Sequence, residues 1–158
     1  MVTMQQIRAI LDSEEPDYAL AAKLGSGALT HIETLIKGVD PKLASKAAYL
    51  AGLIQDSYST AVLKIAAQSK YPEVRIAVAA GARHLDSQAT SEVLLCLIED
   101  QDSGVRKMAL KSAPLDATPA LRKRIENLAT KDSENFVRSQ ATEVVIAIQK
   151  SSIPLFDY

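Results

Sequence analysis

Apolar positions along this chain recur on two nested periods. Over short stretches they fall at i, i+3, i+4 and i+7, the spacing of one face of an amphipathic helix. Over longer distances the whole pattern repeats. Leu43, Val74, Val105 and Val137 each open such a stretch, at steps of 31, 31 and 32 residues. Ala47, Val78, Ala109 and Ala141 follow four positions on, and Ala51, Ala82, Ala113 and Val145 eight positions on. Offsets of 0, +4 and +8 lie on one helical face. The stretch before each of these repeats as well. Ile32, Leu63, Leu94 and Ile125 keep a step of 31, as do Leu35, Ala66, Leu97 and Leu128, and Ile36, Ala67, Ile98 and Ala129. The one extra residue falls between Ala129 and Val137, in the predicted turn Lys131-Asp132-Ser133-Glu134.

The spacing predicts a unit of helix A, tight turn and helix B. The A helices are expected near 28–37, 59–68, 89–99 and 119–130, and the B helices near 41–54, 72–85, 103–113 and 134–149. Asp40-Pro41 and Thr118-Pro119 each set a capping side chain before a proline in the first helical turn. Ser57, Ser87 and Ser133 are further cap candidates, and Pro114 should stop the third B helix. Residues 4–12 and 17–24 read as a shorter leading pair. There, Pro16-Asp17-Tyr18 resembles Pro41-Lys42-Leu43 but stands 25 residues before it, off the period. Terminal repeats are commonly atypical, so this pair reads as a cap. The expected fold is all-α, an α-α superhelix: a right-handed solenoid of antiparallel helix pairs. One domain covers 1–158, with a capping pair at 1–26, four repeats at 27–150 and a tail at 151–158.

Composition supports this and narrows function. Aromatic residues make up 4% of the chain, there is no Trp, and alanine and leucine fill the apolar positions, which favours close-packed helices. A net charge of −1 is not the footprint of a nucleic-acid or membrane-surface protein, although a local basic patch is compatible with it. The lone Cys96 allows no intrachain disulfide, the N-terminus lacks the basic start and apolar core of a signal peptide, and no stretch approaches a membrane span. A cytoplasmic protein with no membrane contact is expected.

Chemistry is sparse. The two histidines, His31 and His84, and Cys96 do not supply a zinc site, so no metal or cofactor is expected. His31 reads as a surface or capping side chain, and Cys96, within Val93-Leu94-Leu95-Cys96-Leu97-Ile98, as a small inert hydrophobe in mid-helix. The carboxylate pairs Glu14-Glu15 and Glu99-Asp100 fall in predicted turns, where solvation keeps them from acid–base work. Gly25-Ser26-Gly27 follows no strand and carries no P-loop lysine, so it reads as a linker. No catalytic constellation emerges, and a non-enzyme is expected.

A turn aspartate, then Val-Arg, then alanines on helix B resembles the HEAT repeat. The Val-Arg pairs are Val74-Arg75, Val105-Arg106 and Val137-Arg138. A period near 31 resembles its short form, seen in phycobilisome lyase-type repeats, over residues 28–150. Thr118-Pro119-Ala120-Leu121 resembles the ankyrin opening but occurs once, and no tetratricopeptide column is present. In HEAT repeats the turn Asp and the B-helix Arg form a ladder between neighbouring units. The resemblance implies that role for Asp100 and Arg106 and for Asp132 and Arg138, each pair six apart. Arg75 is expected to lack its partner, because Ser69 holds that place, and the first unit has Gly38 and Ala44. The ladder should therefore fade toward the N-terminus. The competing reading of Arg75, Arg106 and Arg138 is a phosphate-binding stripe.

The same resemblance puts the B helices on the concave side, as the binding surface. Offsets +2, +3, +6 and +9 select Ser45, Lys46, Tyr49 and Gly52; Ile76, Ala77, Ala80 and Arg83; Lys107, Met108 and Lys111; and Ser139, Gln140, Glu143 and Ile146. The expectation is a non-catalytic scaffold whose mildly basic groove binds an acidic segment of a partner protein, against the alternative that these lysines are merely solvated. Two other functions remain: a bilin-lyase-type enzyme subunit or chaperone, implied by the resemblance alone, and a nucleic-acid-binding HEAT module of the alkylpurine glycosylase kind. The tail Ile153-Pro154-Leu155-Phe156-Asp157-Tyr158 is expected to cap the last unit or to dock on a partner or second copy.

Overall fold

The computed structural model describes residues 1–153, and the predicted tail from Pro154 to Tyr158 lies outside them. The helices are α1 (Met4–Leu11), α2 (Tyr18–Ala22), α3 (Leu29–Ile36), α4 (Pro41–Leu53), α5 (Ser57–Ala66), α6 (Pro72–Ala82), α7 (Ser87–Leu95), α8 (Ser103–Ser112), α9 (Pro119–Lys131) and α10 (Asn135–Ser151). Among the described residues there is no strand. The chain is an all-α solenoid in which α3, α5, α7 and α9 form one layer and α4, α6, α8 and α10 the other. The pair α1–α2 stacks on the first unit, α1 against α3 and α2 against α4.

The periodic columns are the core. Ile32, Leu63, Leu94 and Ile125 are fully buried, as are Val74, Val105 and Val137 and the whole column Ala47, Val78, Ala109 and Ala141. Small residues on the B helices let α4, α6 and α8 pack more closely on one another than the neighbouring A helices do. Among the glycines, the tightest approach is that of Gly52 on α4 to Gly81 on α6. A Cβ built on Gly52 would stand 2.1 Å from the Gly81 carbonyl oxygen. Gly25 alone among the described residues has a positive φ, 73°, where the chain turns from the leading pair into a short 3-10 turn, Ser26–Ala28.

The caps differ in part from expectation. Asp40 and Thr118 do accept backbone N–H groups at the starts of α4 and α9. Ser57 and Ser87, however, are the first helical residues, and the aspartates before them cap: Asp56 accepts from Tyr58 N–H and Asp86 from Ala89 N–H. A carboxylate brings a charge to the positive end of the helix as well as an acceptor. Ser133 caps nothing; the Asp132 carboxylate instead accepts the Glu134 N–H.

Two buried hydroxyls repeat 31 residues apart. Ser59 donates to the Ile54 carbonyl, and Thr90 to the carbonyls of Ala82 at 2.7 Å and Leu85 at 3.2 Å. Each ties an A helix to the loop that precedes it. Thr90→Val keeps the shape but removes the hydroxyl from both carbonyls, of which Ala82 keeps the Leu85 N–H at 3.1 Å, so it is expected to cost about 1 kcal/mol. An unchanged urea midpoint would show that the staple carries no stability.

Candidate interaction surface

The three B-helix arginines are built into the fold. Arg75 donates through Nε and Nη2 to the Asp100 carboxylate at 2.8 and 3.1 Å, and through Nη1 to the Ser69 carbonyl at 2.7 Å. Arg106 repeats this on Asp132 at 2.8 and 2.9 Å, with Nη1 on the Asp100 carbonyl at 2.8 Å. Both ion pairs are buried, with side-chain exposures of 8% and 9% in the first and 10% and 4% in the second. Each arginine thus satisfies its own turn with one nitrogen and grips the next unit's turn aspartate with a bidentate fork. This corrects the expected pairing. Arg75 does have its aspartate, Asp100, because the fork reaches forward by one unit. The rung without an aspartate is the last: Arg138 bonds the Asp132 carbonyl and, at 3.1 Å, Asn135 Oδ1. Since every donor nitrogen of Arg75 and Arg106 is engaged this way, these two arginines are not free to line a phosphate-binding stripe.

Burial alone would raise the Asp132 carboxyl, but the Arg106 guanidinium, the Glu134 N–H and Arg138 together outweigh it and hold the group below the usual carboxylate range.

Of the residues expected on the partner-binding face, some are committed internally. Lys46 donates to the carbonyls of Leu11 at 2.9 Å and Ser13 at 2.6 Å, closing the end of α1. Tyr49 is the middle of a three-ring stack. Its centroid lies 4.9 Å from Tyr18 and 5.7 Å from His84, both edge-on, and its hydroxyl is 3.3 Å from His84 Nε2. Burial, then the neighbouring Arg83, lowers the pKa of His84 and so favours its neutral form. Neither Lys46 nor Tyr49 offers the free surface expected of it, because the leading pair α1–α2 reaches both. Gly52 is buried against α6.

The rest of the face is open. Arg83, Lys107 and Lys111 are exposed and make no ion pair among the described residues. Lys107 stands 5.9 Å over the ring of the exposed Phe136. Ile76 on α6 and Met108 on α8 are half-buried, and Ile76 reaches Gly104 at the start of α8. Gln140 is half-buried and Glu143 exposed on α10, so the basic character ends there.

Elsewhere, the A layer is linked outside by Tyr58–Glu33 and Lys64–Glu92 between helices and by Arg124 of α9 to Glu99 in the turn after α7, at 2.7, 3.1 and 2.8 Å. The Tyr58 hydroxyl, then Lys37, lowers the Glu33 carboxyl. Cys96 is exposed at the end of α7, not buried in it, since the buried column runs through Leu94, Leu97 and Ile98. His31 Nε2 lies 3.1 Å from the Val2 carbonyl. A cleft of about 560 Å³ opens beside Gln55, Asp56, Thr60, His84 and Asp86, but both aspartates are helix caps. Among the described residues no three His, Cys, Asp or Glu side chains are grouped to hold a metal ion, and no helix is long and apolar enough to cross a membrane.

Comparison with known proteins accords with this architecture. No curated protein matches the chain. Among solved structures it is similar to the complex of CpcE and CpcF of phycocyanin lyase from Nostoc sp. PCC7120, with 22% identity and a TM-score of 0.68 over 89% of this chain and 96% of that one. At that identity the likeness is one of fold. Residues 59–146, more than half the chain, match HEAT repeats. With the forward-reaching Arg–Asp rungs inside that span, the chain belongs to the HEAT repeat family.

Proposed function

We propose that this protein is a non-catalytic scaffold of the cytoplasm that holds an acidic segment of a partner protein across its B-helix face. The observation that carries the reading is the contrast between two sets of cations. Arg75 and Arg106 are buried in bidentate pairs, whereas Arg83, at the end of α6, and Lys107 and Lys111, on α8, stand exposed with no ion pair among the described residues. The half-buried Ile76 and Met108 on the same two helices supply apolar contact, and methionine adapts to varied partners. That the similar solved structure is a complex of two proteins supports a protein as the partner.

The test is capture of partners from the native cell, repeated with Lys107→Glu/Lys111→Glu, together with binding of a labelled glutamate-rich peptide. Exposed ion pairs are each worth about 0.2–1 kcal/mol, so reversing two charges should weaken peptide binding roughly tenfold and flatten its salt dependence. Undiminished binding by the double variant overturns the reading. A second reading, a lyase-type subunit, is favoured by the likeness to phycocyanin lyase. An absorbance shift on mixing the purified protein with a bilin would support it in place of the scaffold.

A further inference from the structure

The two ends of the ladder are complementary. At the C-terminal end, Arg138 keeps its bond to the Asp132 carbonyl, the same bond Arg75 and Arg106 make to their own turns. Its fork has no aspartate: Nη2 bonds Asn135, and Nε has no hydrogen-bond partner among the described residues. At the N-terminal end stands an aspartate without a fork. Asp12 caps the C-terminus of α1 as Asp132 caps that of α9. Its carboxylate, 57% exposed, has Arg8, at 4.0 Å, as its one ion-pair partner among the described residues. The charge around each end follows the same sense. Residues 1–24 carry four carboxylates, all exposed, against two cations, whereas α9, α10 and their turn carry six cations against four carboxylates.

We propose that copies of this chain associate head to tail, the Arg138 fork of one taking the Asp12 carboxylate of the next and so extending the Arg–Asp ladder across the junction. The contact uses the ends of the array and does not depend on what the B-helix face binds. It is heterologous, so it adds copies in one direction and does not close at a dimer. It is also held mainly by charge. Where Ala48, Ala79 and Leu110 bury the face that meets the following unit, the last repeat has the exposed Thr142, so little apolar area is covered.

Sedimentation velocity on the full chain, from about 10 μM to about 1 mM, tests this. The average sedimentation coefficient should rise with concentration at about 20 mM salt and fall back toward the monomer at about 500 mM. Arg138→Glu and Asp12→Arg should each weaken association at least about tenfold. An equimolar mixture of the two should regain it, because each supplies the end that the other has lost. A wild-type chain that stays monomeric throughout overturns the proposal, as do single variants that associate like wild type or a mixture no better than its components. Asp12→Arg, whose side chain pairs only with Arg8, decides the matter if Arg138→Glu loses its helical circular dichroism.

Discussion

Replacing Gly52 with alanine is expected to cost about 3 kcal/mol of stability and to lower the thermal midpoint by roughly 6–12 °C. The added Cβ would lie 2.1 Å from the carbonyl oxygen of Gly81, 2.4 Å from its carbonyl carbon and 2.7 Å from its Cα. All three are helix backbone, so no side chain can rotate out of the way. Relief requires α4 and α6 to separate, which opens the seam that buries Ala48, Ala51, Ala79 and Ala82. Alanine is also favoured over glycine in a helix by about 1 kcal/mol, so the clash must outweigh that gain before any loss appears. Gly81→Ala is the control. Its Cβ would meet the carbonyl oxygens of Tyr49 and Ala48 at 3.2 and 3.3 Å, a few tenths of an ångström too close. The helix propensity gained should offset much of that, leaving the control within about 1 kcal/mol of wild type. Equal midpoints for the two variants would mean that the helices do not cross this closely.

That crossing marks where the sequence stops being legible. The 31-residue columns predict which side chains are buried, because burial follows helical phase, and Ile32, Val74 and Val105 are all buried as their phase requires. Phase does not say how near two backbones come. Gly52 sits at offset +9, where the next unit has Arg83, so the period marked it as a groove position although it is packed against Gly81. The same limit explains Lys46 and Tyr49. Their offsets put them on the B face, but only the off-period pair α1–α2, whose placement no column specified, brings the Leu11 carbonyl and the Tyr18 ring to them.

The arginine ladder was legible in its residue types and not in its direction. Six-residue spacing within a unit does pick out a real contact, the Nη1 bond to the turn carbonyl. The carboxylate contact spans 25 residues for Arg75 and 26 for Arg106, and a repeat read one unit at a time does not contain it. A signal was nevertheless present: Arg75 without an aspartate at Ser69, and Arg138 at the last turn, are what a forward-reaching rung predicts. The staple hydroxyls Ser59 and Thr90 also keep the 31-residue step, a polar column that apolar periodicity does not reveal.

Breaking the Arg106–Asp132 rung should be the other large effect, and its pH dependence separates it from simple packing loss. Asp132→Asn keeps the shape but sets a neutral amide, with its own N–H donors, against a guanidinium only 10% exposed. Arg106→Met leaves a carboxylate 4% exposed without its fork. Each is expected to cost about 3–5 kcal/mol at pH 7, the penalty for stranding one member of a buried pair. Arg106→Met/Asp132→Leu, which removes both charges, should recover part of that loss in a double-mutant cycle. Because the folded-state pKa of Asp132 is lowered, the rung stabilises the protein fully above the ordinary carboxylate range, and its contribution is lost as pH falls toward the lowered folded value. The stability gap between wild type and Asp132→Asn, followed by urea unfolding from pH 7 downward, should therefore narrow through that window. A gap that stays constant with pH, or a double variant as unstable as the sum of the singles, would mean that the two side chains contribute as packing volume and not as a coupled ion pair.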